Sequence, residues 1–188
     1  YREELETTKD TRLLRREARR IFDHINSITD RTELYKKMNL ADVGDDYETK
    51  NFPFRKGRHA TARLRTIISN ANVDTKLLKS LSKSILDMKN AQSYGDLVPV
   101  MGAIIKNKNT DRDTILSLFE EMNEMTSFGH VEALSRRDDV NDILKENFSL
   151  SEKPSMRLLV LSEVERAYKD EKSKVNFTSD DLKRFKKI

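Results

Sequence analysis

Arg12, Arg15, Arg16, Arg19 and Arg20 crowd into the nine residues "RLLRREARR", with Glu17 as the one acid among them. A guanidinium is a permanent cation with a planar fork of N–H donors. This residue type at this density binds carboxylates or phosphates and takes no part in proton transfer. On a helix turning about 100° per residue, the five arginines cover an arc of roughly 140°. Leu14, Ala18, Ile21, Ile25 and Ile28 recur at intervals of four, three, four and three, which places a narrow apolar seam on the opposite side. Arg12–Arg16, Arg15–Arg19 and Arg16–Arg20 are like-charge i, i+4 pairs, each costing an isolated helix about 0.2–0.5 kcal/mol. Such crowding is easier to understand when something acidic faces it, so these five are the primary candidate contact residues for a partner or a phosphate.

Two further basic groups are secondary candidates. "NFPFRKGRHATARLR", 51–65, holds five basic residues and no acid. On a helix, Arg58 and Arg65 fall on one flank of the apolar Ala60–Ala71 face and Arg63 on the other, the ordinary placement of arginine stems beside a buried stripe. That leaves Arg55, Lys56 and Arg58 as contact residues. Lys183, Arg184, Lys186 and Lys187 end the chain's last helix, where cations also favour the helix dipole without any ligand.

Signals for metal or acid–base chemistry are weak. "NTDRDTILSLFE" sets Asn109, Asp111, Asp113, Ser117 and Glu120 at calcium-loop spacing, but Thr114 stands where the sharp turn requires Gly. Thr110, Asp111 and Asp113 are explained as well by the start of a capped helix. His24, His59 and His130 are isolated in sequence and read as structural side chains rather than ligands. No two glycines lie closer than seven residues apart, which excludes a Gly-rich phosphate loop, and there is no GxSxG elbow. With no cysteine, disulfides and thiolate-held zinc are excluded. No catalytic residue, metal site or cofactor is expected, and the chain reads as non-enzymatic.

The elements that position these residues are helical. Charged residues and hydrophobic residues each make up 36% of the 188-residue chain, and only five glycines and three prolines are present. That balance suits amphipathic helices with short loops, not a turn-rich β fold. The expected fold is an all-α, multi-helix bundle of about seven to nine helices with an N-terminal basic amphipathic helix. Helices are predicted at about 2–28, 29–38, 57–71, 74–90, 95–107 (Pro99 in its first turn), 111–126, 130–147 and 155–170, followed by a capped C-terminal helix. Residues 39–56, with Gly44, an acidic run and Pro53, read as a hinge or loop between an N-terminal appendage (1–38) and the main bundle (57–188). "DTKLLKSL" and "DTILSLF" look alike, but one such match does not establish a repeat array.

Charge is unevenly spread. Residues 11–20 carry five Arg against Glu17, while 110–146 carry ten acids against four bases. Such a chain can pair with itself or with another polyelectrolyte. No apolar run approaches the roughly 20 residues that span a bilayer, and Tyr1 in place of Met is expected of a processed or excised piece. The expected function is a helical interaction module in an intracellular setting, cytoplasmic or nuclear, binding an acidic protein partner or self-associating through its first helix. The alternative is a nucleic-acid-binding accessory protein of replication, packaging or transcription that uses the same arginine-rich faces.

Overall fold

The computed structural model describes residues 2–37, 60–87, 94–121, 128–150, 162 and 164–186, and helices are the only regular elements among them. The expected hinge at 39–56 lies outside these residues, as do Arg55, Lys56, Arg58, His59 and Lys187; the side chains of Ile28, Arg184 and Lys186 are also not described. In chain order the helices are α1 (Arg2–Thr7), α2 (Thr11–Lys37), α3 (helical over 60–68), α4 (Thr75–Asp87), α5 (Tyr94–Lys106), α6 (Arg112–Glu121), α7 (Phe128–Ser135), α8 (Val140–Leu150), α9 (helical over 164–167) and α10 (Ser179–Lys186). The all-α multi-helix reading holds, with several boundaries moved.

The moved boundaries have local causes. The predicted 2–28 helix breaks at Thr8–Asp10, because Asp10 Oδ1 accepts the backbone N–H groups of Arg12 (3.0 Å) and Leu13 (3.1 Å) and so starts a new helix. No break follows at 29–30: α2 runs on to Lys37. The predicted 130–147 helix is two helices, parted at Arg136–Asp139. Pro99 lies inside α5 rather than in its first turn. Asp111, not Thr110, caps α6: its Oδ1 accepts the Thr114 N–H at 2.7 Å. The Thr110 hydroxyl instead donates back to the Ile104 carbonyl. Ala71 sits exposed beyond the end of α3 rather than on its buried face. The C-terminal cap is as predicted, with Thr178 and Asp181 bonding each other's backbone N–H at 3.1 Å.

Three helix–corner–helix hairpins, α3–α4, α5–α6 and α7–α8, share one corner geometry. The N–H groups of Asn70, Asn107 and Arg137 bond the carbonyls of Ile67, Ile104 and Leu134 at 3.0, 3.2 and 3.0 Å. The carbonyls of the same three residues accept from Val73, Thr110 and Val140. Asn70, Asn107 and Arg137 therefore occupy equivalent places in successive hairpins.

Each of the three reaches back to the preceding hairpin. Asn70 Nδ2 donates to Leu5 O (2.9 Å) and Thr8 O (3.0 Å); Asn107 Nδ2 donates to Ile68 O (2.7 Å) and Asn70 O (3.2 Å). Arg137 donates to Ile105 O (2.8 Å), Asn107 O (2.7 Å) and Thr110 O (2.8 Å). The corners thus form a ladder that satisfies helix-terminal carbonyls which no intrahelical N–H can reach. Helices α4, α6 and α8 pack in one layer, α4 on α6 and α6 on α8, while α5 packs on α7 in the other and on α4 across the two. Helix pairs stacked so that each leans on its neighbour are the construction of α-solenoids.

One apolar cluster runs through the array. Leu5 of α1 and Leu14, Ala18, Ile21 and Ile25 of α2 are buried in the same cluster as Leu64, Ile68, Leu78, Ile85, Leu97, Ile104, Phe119 and Leu144. Each large aliphatic side chain fully withdrawn from water contributes about 1.5–3 kcal/mol. The four described seam residues of α2 are thus consumed by the chain's own core and offer no apolar face to a partner.

Candidate interaction surface

In sequence, α2 and α4 repeat each other. "TRLLRREARRI", 11–21, and "TKLLKSLSKSI", 75–85, agree at Thr, Leu, Leu and Ile and exchange Arg for Lys at three positions. Each follows an aspartate that caps its helix: Asp10 as above, and Asp74, whose Oδ1 accepts the Leu77 N–H at 2.7 Å. Counted from the cap, Arg12 matches Lys76, Arg15 matches Lys79 and Arg19 matches Lys83. The inward residues Leu14, Leu78, Ile21 and Ile85 are buried, while Arg12, Arg16, Arg19, Lys76, Lys79 and Lys83 are exposed.

The base five residues past each cap acts on the next aspartate cap, at contact in one case and through space in the other. Arg15 of α2 forms an ion pair with the Asp74 cap of α4. Lys79, at the same position on α4, acts electrostatically on the Asp111 cap of α6. Burial pushes the Asp74 carboxyl up, but the Leu77 N–H and the Arg15 guanidinium outweigh it and hold the group below the usual carboxylate value. Asp111 behaves likewise: burial is opposed by the Thr114 N–H and then by Lys79. The exposed bases of α2 and α4 thus occupy matching cap-relative positions, one row on each helix. The rows end there, since the matching positions of α6 are Asp113, Leu116 and Glu120.

The five arginines expected to act together divide in two. Arg12, Arg16, Arg19 and Arg20 are exposed and Arg15 is half-buried. Arg15 is committed to Asp74, and Arg20 bonds Glu17 through Nη2 (2.8 Å) and Nε (3.2 Å). Asp74 lies outside the acidic 110–146 stretch from which an internal partner is expected. Glu17, only 7% exposed, stands where α4 has Leu81, so the Arg20 and Arg16 (3.7 Å) contacts compensate a buried charge. Lys183 does not join this face. It sits on α10, which docks on α8 through Lys145 and Asp181 at 3.7 Å, and it pairs locally with Asp180. The bases overlooked in the sequence are Lys76, Lys79 and Lys83, spread along an otherwise serine-rich helix; the 64-residue internal repeat, "DTRLL" against "DTKLL", is the signal that marks them.

The calcium-like stretch is spent on architecture. Asn109 Nδ2 bonds the Ala71 and Val73 carbonyls at 2.8 Å, and Asp111 caps α6. No metal-binding cluster of His, Asp or Glu is present among the described residues. His130 is a core residue: 2% exposed, it donates from Nε2 to Val98 O at 2.8 Å and ties α7 to α5. Burial lowers its pKa below the ordinary 6.5, only partly offset by that bond. The folded state therefore favours the neutral ring, and stability present above about pH 6.5 is lost as pH falls toward the folded-state value. Thermal unfolding from about pH 7 to 5.5 should show a falling midpoint, and His130→Gln, which keeps a donor, should flatten the decline. Equal declines in both proteins would count against this role.

No helix among the described residues is long and apolar enough to cross a membrane. Comparisons with protein-family models, curated proteins and solved structures find no match.

Proposed function

We propose that this chain is a non-catalytic scaffold whose α2–α4 face binds an acidic segment of a partner protein. The observation that supports this most directly is the repeat of exposed bases at equal cap-relative positions on two adjacent helices, Arg12 with Lys76 and Arg19 with Lys83. Along each helix the bases are spaced at roughly 5 to 10 Å, and adjacent packed helices lie about 8–10 Å apart. An acidic helix laid between the rows would present carboxylates at matching spacing. None of these basic positions is interleaved with an aromatic side chain, which single-stranded nucleic acid uses for base stacking. That absence favours a protein acid over the nucleic-acid alternative.

Fluorescence anisotropy with a labelled Glu-rich helical peptide and a labelled oligothymidylate, each titrated at rising salt, separates the two classes. The peptide is expected to bind the wild-type protein at low salt, and Arg12→Glu with Arg16→Glu and Arg19→Glu is expected to weaken it at least about tenfold. Each such reversal replaces attraction by repulsion at close range. Binding of the oligonucleotide alone, with a steep salt slope, would replace this reading with the nucleic-acid one.

A further inference from the structure

The other layer carries a groove that the basic face does not explain. A cavity of about 440 Å³ opens between α3, α5 and α7. Its floor is built from small side chains, Gly102 and Ala103 of α5 and Ala133 of α7, and Val98 and Pro99 give it an apolar end. A Cβ added at Gly102 would meet His130 Cδ2 at 3.5 Å, so this glycine lies against the histidine that joins the two helices. Pro99 has no N–H to give the helix, and it is exposed at the groove edge rather than packed in the core.

The rim is basic. Arg65 and Lys106 are both exposed, and neither makes an ion pair among the described residues. The one acid in the lining, Glu132, pairs at 2.5 Å with Arg136, which also meets Asp170 at 3.5 Å, and the Arg136 Nε–H meets no acceptor. A cavity of this size lies within the range of sites that take a whole side chain or small ligand. Its apolar floor suits a bulky hydrophobic group and its rim suits carboxylates.

We infer that this groove is a second binding site, for an acidic peptide segment carrying one large apolar side chain, which would seat on the Gly102–Ala133 floor between Arg65 and Lys106. The site lies in the odd-numbered layer and uses none of the α2–α4 bases, so it stands or falls separately from the reading above.

The test uses the whole protein and two labelled nonapeptides of Asp and Glu, one with a central Phe and one with a central Gly. The Phe peptide is expected to bind at least about fivefold more tightly than the Gly peptide. That preference should survive Lys76→Glu with Lys79→Glu and Lys83→Glu, and vanish in Arg65→Glu with Lys106→Glu. Circular dichroism and the melting midpoint check that each variant remains folded; all five positions are exposed. Equal affinity for the two peptides, or a Phe preference untouched by the Arg65 and Lys106 reversals, would overturn the assignment. Should the two reversals together unfold the chain, Lys106→Gln alone serves, with an expected loss of the Phe preference of about twofold or more; no loss would likewise overturn it.

Discussion

Arg137→Ala is expected to lower the free energy of unfolding by about 3 kcal/mol, as a large drop in the urea midpoint with the slope unchanged. Arg137 is 8% exposed and makes five hydrogen bonds: three to the carbonyls of Ile105, Asn107 and Thr110, and two to the Asp139 carboxylate at 2.8 and 3.0 Å. Those carbonyls close the α5–α6 corner, so truncation would leave acceptors unpaired in the interior, the costly side of hydrogen-bond energetics. Asp139 would also lose the partner that chiefly holds its carboxyl below the usual range. Because Asp139 is partly exposed, its ion pair is screened and accounts for the smaller share of the loss. Arg137→Lys is expected to recover little, since one ammonium cannot span three carbonyls and a carboxylate. A loss below about 1 kcal/mol would mean that the corner ladder does not hold the hairpins together.

Asn107→Ala is expected to cost about 2 kcal/mol by the same measurement. Asn107 is 7% exposed, its Nδ2 serves Ile68 O and Asn70 O, and its Oδ1 accepts the Asn109 N–H at 2.8 Å. Its own carbonyl is one of the three that Arg137 holds, so the two substitutions disturb a shared corner. The double variant should depart from additivity by about 0.5 kcal/mol or more. Strict additivity would show that successive rungs are independent, against a ladder in which each rung rests on the one before it.

The parts of the fold legible in sequence are those set by helical periodicity. The Leu14–Ile25 seam, the Leu77, Leu78, Leu81 and Ile85 stripe and the Thr178–Asp181 cap all lie where their spacing places them. The corners were harder to read because no proline or glycine marks them. At 136–139 the turn is made by Arg137 and Asp139, residues that composition treats as helix surface, and only the carbonyls contributed by α5 explain an arginine there. The site was half legible for a related reason. Five clustered arginines stand out, whereas Lys76, Lys79 and Lys83 look like the ordinary solvated face of one helix. They become a surface only when Asp10 and Asp74 are recognised as equivalent caps and α2 is set beside α4 by the Arg15–Asp74 pair. The repeat had a partial trace in "DTKLLKSL" and "DTILSLF", but the equivalent caps are Asp74 and Asp111, so a match anchored on Asp113 lies two residues out of register.

The central claim is that α2 and α4 present one binding face, and α4 is where it is most exposed to test. Lys76→Glu with Lys79→Glu and Lys83→Glu leaves every arginine of α2 intact and changes only exposed side chains. In anisotropy titrations with the labelled Glu-rich helical peptide at low salt, this variant is expected to weaken binding at least about tenfold, as much as reversal of Arg12, Arg16 and Arg19. Wild-type affinity in a folded α4 variant would contradict the account, because the arginines would then act alone and the shared face would not exist.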